Sequence, residues 1–239
     1  MPTIAMICAL ATVVCVLCAL LVDVPVARLA LQTPPDLRAI AQVFSDIGLS
    51  GYMLGLSGLI AAAAFLTLRR YRSHKRRSLL RLLGERAFFV FAAVALSGIA
   101  VQIIKHVVGR ARPKAIGSLD AFHFDLFSIK ASLASFPSGH STSIFALAAA
   151  LGLIAPRLRV PAFGLAMLVA LARVVLAAHY ASDIVAGATL GVVTTLAIAG
   201  VFANRSIAFT RRDGVVRLKG RGVIWSALRL RACGTGQAA

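Results

Sequence analysis

Six apolar runs constrain this chain more than any other feature. They cover approximately residues 3–22, 47–68, 87–108, 141–155, 161–178 and 184–203. A helix needs about 20 apolar residues to cross a hydrocarbon core of about 30 Å. In lipid every backbone amide must be satisfied inside the segment, so runs of this length predict spanning helices. The fourth run reaches that length only if it begins at the turn over 138–140. Of the 239 residues 59% are hydrophobic and 14% charged, with a mean hydropathy of +0.88. Soluble globular chains hold about 45–50% apolar residues. The expected fold is all-α: one polytopic membrane domain over 1–239, with six transmembrane helices in a single bundle. The first run lacks the basic n-region of a cleaved leader, so it reads as a retained helix.

The charges lie between these runs. The formal net charge is +18, from 26 Lys and Arg against 8 Asp and Glu. A basic balance often indicates nucleic acid, but here the bases do not gather on one polar face, which argues against it. Residues 69–86 hold eight bases with Glu85 the only acid, the turn before the fifth run adds Arg157 and Arg159, and the tail adds eight more. These segments fall on one side if both termini are inside, so the positive-inside rule predicts an N-in, C-in topology. Residues 204–239 then form a basic cytoplasmic tail. Its Ile224, Trp225 and Leu228 suit the inner membrane surface, and a solvated tail would serve equally. Between the first two runs lies a polar segment with Pro34, Pro35, Asp23, Asp36 and Asp46. The opposite face has one long loop, 109–137, with Phe122, Phe124, Phe127 and Phe136; packing over the helix ends is the preferred reading of these rings. Cys8, Cys15 and Cys18 lie in the first run and read as small hydrophobes. Neither they nor Cys233 form a zinc pattern or a disulfide framework.

Seven residues, FPSGHST from Phe136 to Thr142, stand where the long loop enters the fourth run. Ser138 and Gly139 precede a helix N-terminus, which offers unpaired N–H groups to an anion such as phosphate. His140 beside them can exchange a proton near neutral pH. Taken alone, the preferred reading is that Ser138 is a helix cap and His140 an interfacial histidine. Lys105 lies near the end of the third run, with Arg112 seven residues on, and Arg173 lies inside the fifth. A charge in the apolar layer costs about 2.5–3.5 kcal/mol on insertion scales, which makes each a functional candidate. If the chain stays helical from Arg173 to His179, the two are about 9 Å apart along the axis. His179 and Asp183 are four apart, a spacing that places both on one helix face. The carboxylate would orient the imidazole and prepare it as nucleophile or base. The predicted topology brings Lys105, Arg112, Ser138, Gly139, His140, Arg173, His179 and Asp183 to the outer ends of their helices. Such a set suits phosphoryl transfer.

The spacings K-x6-R-P from Lys105 to Pro113, P-S-G-H from Pro137 to His140, and R-x5-H-x3-D over Arg173, His179 and Asp183 resemble the type 2 phosphatidic acid phosphatase (PAP2) family. That family is related to bacterial acid phosphatases and vanadium haloperoxidases. Ala172 departs from it, standing where the third motif often has serine. The resemblance implies a metal-independent lipid phosphatase with no cofactor. His179 would be the nucleophile, Asp183 its orienting acid and His140 the proton donor to the leaving group. Lys105, Arg112, Ser138, Gly139 and Arg173 would hold the phosphoryl oxygens. The expected location is the cell (inner) membrane, with the site facing the periplasm or exterior. Expected substrates are anionic phospholipids or polyprenyl phosphates: undecaprenyl pyrophosphate, phosphatidylglycerophosphate, phosphatidic acid or a lipid A phosphate. Arg110, Lys114 and Lys130 would attract anionic headgroups in general. The alternatives are a lipid-to-lipid phosphotransferase with the same site, and a non-catalytic lipid-phosphate binder or transporter.

Overall fold

The fold was obtained as a computed structural model, which describes residues 2–115 and 120–220. Its helices are α1 (Pro2–Leu17), α2 (Asp23–Leu31), α3 (Pro35–Ile47), α4 (Ser50–Thr67), α5 (His74–Val108), α6 (Gly139–Ile154), α7 (Arg159–Val175) and α8 (Ala181–Asn204). A π-helical turn over Cys18–Val22 joins α1 to α2 without a break. Five helical stretches are long and apolar enough to cross a membrane: Ile4–Leu31, Pro35–Arg70, His74–Val108, Pro156–Val175 and Ala181–Asn204. The sixth rod is α6, a shorter apolar helix. The expected six-helix bundle is therefore present.

The polar segment between the first two runs is helical rather than a loop. The first helical stretch continues through Leu31, and Pro35 opens α3 at its first turn. Proline suits that position because the first N–H of a helix has no partner anyway. The basic stretch 69–86 is also mostly helix, as the first turns of α5. Arg and Lys are good helix formers, so a charge run that reads as a loop extends the helix beyond its apolar part.

Helix α6 is central. Ser141 through Ala146, Ala148 through Ala150 and Gly152 are all buried, so it is covered on every side. Its 16 residues span about 24 Å, less than the hydrocarbon core, and Ser138 at its N-cap is fully buried in the bundle. Two glycines set the approach of α8. A Cβ on Gly187 would lie 2.5 Å from the Ser138 carbonyl oxygen, and one on Gly191 would strike that of Thr142. Only residues without a side chain let two backbones come so close. Val94 of α5, Ile144 and Phe145 of α6, Val169 and Val174 of α7 and Ile184 of α8 form the core beneath the site.

A hairpin follows α8, with β1 (Phe209–Arg212) antiparallel to β2 (Val215–Leu218). Asp213 and Gly214 at its tip both have positive φ, 52° and 73°, the pattern of a two-residue hairpin turn. Phe209 is buried edge-on against Phe89, with ring centroids 4.7 Å apart. Glu85, the lone acid of the basic stretch, accepts from the Ala208 N–H at 2.9 Å. This hairpin lies within the expected basic tail. Ile224, Trp225, Leu228 and Cys233 lie outside the described residues.

Candidate active site

The loop between α5 and α6 is knitted to its neighbours before it delivers the site residues. Gly109 caps α5 with φ of +59°, and a Cβ there would strike the Asp125 carbonyl oxygen. Arg110 pairs with Phe124, and the Ser135 N–H returns to the Arg110 carbonyl at 2.9 Å. Phe122, Phe124 and Phe127 remain exposed on this loop. The Phe124 ring nevertheless lies 6.0 Å from the Arg110 guanidinium, and Phe136 is only partly exposed, so the rings divide between packing and exposure.

Ser138 is the N-cap of α6, and its hydroxyl accepts from the Ser141 N–H at 3.5 Å. Its own N–H donates to the Asp183 carbonyl at 3.0 Å, which ties the start of α6 to the first turn of α8. Six of the eight expected residues line one cavity of about 800 Å³: Lys105, Arg112, Gly139, His140, Arg173 and His179. Ser138 and Asp183 are fully buried and are not part of its lining. The cavity continues along an apolar wall that includes Leu49 and Leu54 at α4 and Val94, Ile99 and Ile103 of α5.

Three cations converge on this cavity. Lys105 is 8% exposed and has no carboxylate within ion-pair distance among the described residues. Arg112 donates to the Ala134 carbonyl at 3.4 Å, and Arg173 to the Ser45 hydroxyl at 2.7 Å. The Nε atoms of both arginines are buried without a hydrogen-bond partner. Buried donors of this kind are normally satisfied, so an anion with several oxygens would complete them. Burial holds the Arg112 guanidinium below its ordinary pKa, although Asp183 opposes this.

The chain is not helical between Arg173 and His179. Helix α7 ends at Val175, and Ala177 takes a left-handed φ of +49°. The expected axial separation of the two residues therefore does not apply. His179 instead sits in the turn before α8, 2% exposed. Its Nδ1 donates to the Ser135 carbonyl at 2.8 Å and is 3.6 Å from Asp183 Oδ2. A carbonyl oxygen only accepts, so the proton resides on Nδ1 and Nε2 keeps its lone pair. Ser135, which nothing in the sequence marked, thus selects the tautomer more directly than Asp183 does. Burial pushes the His179 pKa down to about 4 against the pull of Asp183.

Asp183 is surrounded by donors. Its Oδ1 accepts from Arg110 Nη1 at 2.6 Å, and its Oδ2 accepts from the Ser135 hydroxyl at 2.5 Å and the Tyr180 N–H at 2.8 Å. A carboxylate in the first turn of a helix is also favoured by the backbone dipoles. Arg110 was expected to attract headgroups, but it is 3% exposed and bound inside the protein. It also donates to Asp23 Oδ2 at 2.8 Å and stacks over the Tyr180 ring at 4.4 Å. His106 and His123 are exposed and take no part.

The family model of the PAP2 superfamily matches residues 86–207. The chain is 33% identical over 193 residues to a lipid A 1-phosphatase of Rhizobium etli, covering 80% of this chain and 81% of that one. It is 32% identical over 197 residues to the lipid A 1-phosphatase of Rhizobium johnstonii, covering 81% and 79%. Among solved structures, it resembles a transmembrane PAP2-type phosphatidylglycerolphosphate phosphatase from Bacillus subtilis. That match has a TM-score of 0.56 at 20% identity and covers 83% of this chain and 96% of that one. Aquifex aeolicus LpxE matches with a TM-score of 0.50 at 19% identity, covering 74% and 94%. The six-helix bundle, the three spaced motifs and the family match together place this chain in the PAP2 superfamily.

Proposed function

We propose that this protein is a membrane lipid phosphatase that works through a phosphohistidine. The observation that carries the proposal is the cavity itself. One end gathers Lys105, Arg112 and Arg173 with His140 at the N-terminus of α6 and His179 before α8, and the rest is largely apolar wall. That combination fits a phosphate carried on an acyl or prenyl chain. Lipid A, cleaved at its 1-phosphate, is the first substrate to test, because the curated relatives bear that activity in their names over about four-fifths of this chain.

In the proposed mechanism, Lys105, Arg112, Arg173 and the Gly139 N–H hold the non-bridging phosphoryl oxygens. Ser138 supports them by capping α6. Nε2 of His179 forms a bond to phosphorus as the bond to the leaving oxygen breaks. His140 gives its proton to that oxygen. Water then attacks phosphorus, the P–N bond breaks, and His140 takes the proton of the water. Charge spreads over the phosphoryl oxygens in the transition state, where fixed cations in a dry site act most strongly. The positive charge comes from side chains, so the reaction needs no metal. The bases of 69–86 and of the tail support a cytoplasmic location for the opposite end of the bundle, with the site opening toward the periplasm.

The test is phosphate release by the purified protein from lipid A, undecaprenyl pyrophosphate, phosphatidylglycerophosphate and phosphatidic acid, with chelator present. A quench in alkaline detergent, which preserves the acid-labile P–N bond, should trap a phosphoryl group on His179, and His179→Ala should abolish it. Undiminished turnover by that variant would overturn the nucleophile. Loss of activity in chelator would overturn the metal-free reading. Transfer of phosphate to an added acceptor lipid in place of water would make the enzyme a phosphotransferase.

A further inference from the structure

A chain of buried charges leads away from His179 to the first helical stretch. Asp23 opens α2 and is fully buried. It takes Arg110 Nη2 at 2.8 Å, the Ser182 N–H at 2.9 Å, and the Ser182 hydroxyl. Arg110 Nη1 bridges to the Ser182 hydroxyl at 2.7 Å and to Asp183 at 2.6 Å. One guanidinium is therefore shared between two carboxylates, of which only Asp183 faces His179.

Fixation of the helix ends does not require this arrangement. Taking three charges out of water is costly, and apolar residues of the same volume would often hold the helices equally well. A single Arg110–Asp183 pair would also be neutral, leaving His179 beside a carboxylate whose charge is cancelled. The second carboxylate restores one net negative charge to the cluster. We propose that Asp23 and Arg110 are positioning residues of the active site: Arg110 clamps Asp183 against the His179 turn, and Asp23 offsets Arg110 so that Asp183 still presents negative charge to the imidazole. The inference rests on His179 being the nucleophile.

Charge bookkeeping separates this role from a structural one. The cluster carries one net negative charge as it stands, none in Asp23→Asn, two in Arg110→Met, and one again in the double variant. The other groups that face His179 stay constant across these variants. They are Lys105 of α5, Arg112 of the loop, His140 of α6, Arg173 of α7 and Asp183 of α8, with Tyr180 beside it. Asp46 of α3 acts on Arg173, and Cys15 of α1 reaches the Ser182 carbonyl at 3.6 Å.

The acid limb of kcat/KM reports protonation of His179. It is measured on the full chain in detergent micelles, with whichever lipid phosphate of the panel the wild type cleaves fastest. One unit charge at about 10 Å in a medium of effective dielectric about 20 moves such a limb by about one pH unit. Asp23→Asn should lower the limb by about that amount and reduce kcat about tenfold. Arg110→Met should raise the limb. The double variant should return the limb to the wild-type position and recover part of kcat. Unmoved limbs in both single variants, or a double variant as impaired as the two losses combined, would overturn the proposal. Should Arg110→Met fail to elute as a folded protein, Asp23→Asn against Asp23→Glu decides: only the charge-keeping variant should retain the wild-type limb. Absence of a trapped phosphohistidine in the wild type would instead refute the nucleophile and leave these shifts to be read for themselves.

Discussion

Gly187→Ala tests whether close contact of α6 and α8 places the catalytic groups. The added Cβ would lie 2.5 Å from the Ser138 carbonyl oxygen, 3.1 Å from Thr142 Oγ1 and 3.2 Å from Ser141 Cβ. The nearest atom is backbone at the N-cap of α6, so no side chain can rotate away. Restoring an ordinary 3.4 Å contact from 2.5 Å requires α6 and α8 to part by about 0.9 Å. Overpacking of this kind costs about 1–3 kcal/mol. The same shift moves His140 on α6 relative to Asp183, which sits one turn before Gly187 on the same face of α8. A misplacement of about 1 Å in a catalytic set costs about 100-fold in rate. Melting temperature and lipid phosphate turnover of the purified variant provide the assay. Gly164→Ala is the control, because nothing lies within 4 Å of its added Cβ. The expected result is a lowered melting point and about 100-fold lower kcat for Gly187→Ala, with the control unchanged. Wild-type turnover by Gly187→Ala would refute the claim that this contact sets the geometry.

Three further outcomes are expected. Arg112→Gln and Arg173→Gln each remove a charged donor worth about 1.5–3 kcal/mol, so each should lower kcat/KM by about 10- to 100-fold and weaken inhibition by orthovanadate. His140→Gln should slow lipid phosphate cleavage by about 100- to 10,000-fold, yet slow p-nitrophenyl phosphate far less, because that leaving group needs no proton. The folded pKa of His179, about 4, lies below its ordinary 6.5, so between these values the unfolded chain binds more protons than the folded one. Stability from this group is present above pH 6.5 and lost as pH falls toward 4, which a series of melting curves from pH 7.5 to 4.5 in wild type and His179→Asn would reveal as a steeper acid decline in the wild type.

The bundle was legible because its information is local. A run of apolar residues specifies a spanning helix with little reference to the rest of the chain. The start of α6 at Gly139 is marked locally by its cap residue, Ser138. What escaped was structure whose sign depends on neighbours. Helix α3 is amphipathic and sits between prolines and polar residues, which read as a loop when the partner face is unseen. The hairpin over 209–218 is held by Phe209 on Phe89 and by Glu85 on the Ala208 N–H, the latter a contact 123 residues apart in the chain. Its Asp213-Gly214 turn was the one local signal, and the surrounding bases obscured it.

The same distinction divides the site residues. Lys105 and Arg173 stand out because a charge inside an apolar run must have a reason to be there. Asp23, Arg110 and Ser135 lie at the edges of runs, where polar residues are ordinary, and carry no such mark. Arg110 reaches Asp23 across 87 residues and Asp183 across 73, so no window of sequence contains the cluster. Residues that touch the proposed phosphate are thus exposed to reading by the cost of their position. Those proposed to position His179 become visible only when three distant run ends meet. A search for such residues in a chain of this kind should begin from the buried charges left over after the helices are packed, since each must have found its partner somewhere outside its own segment.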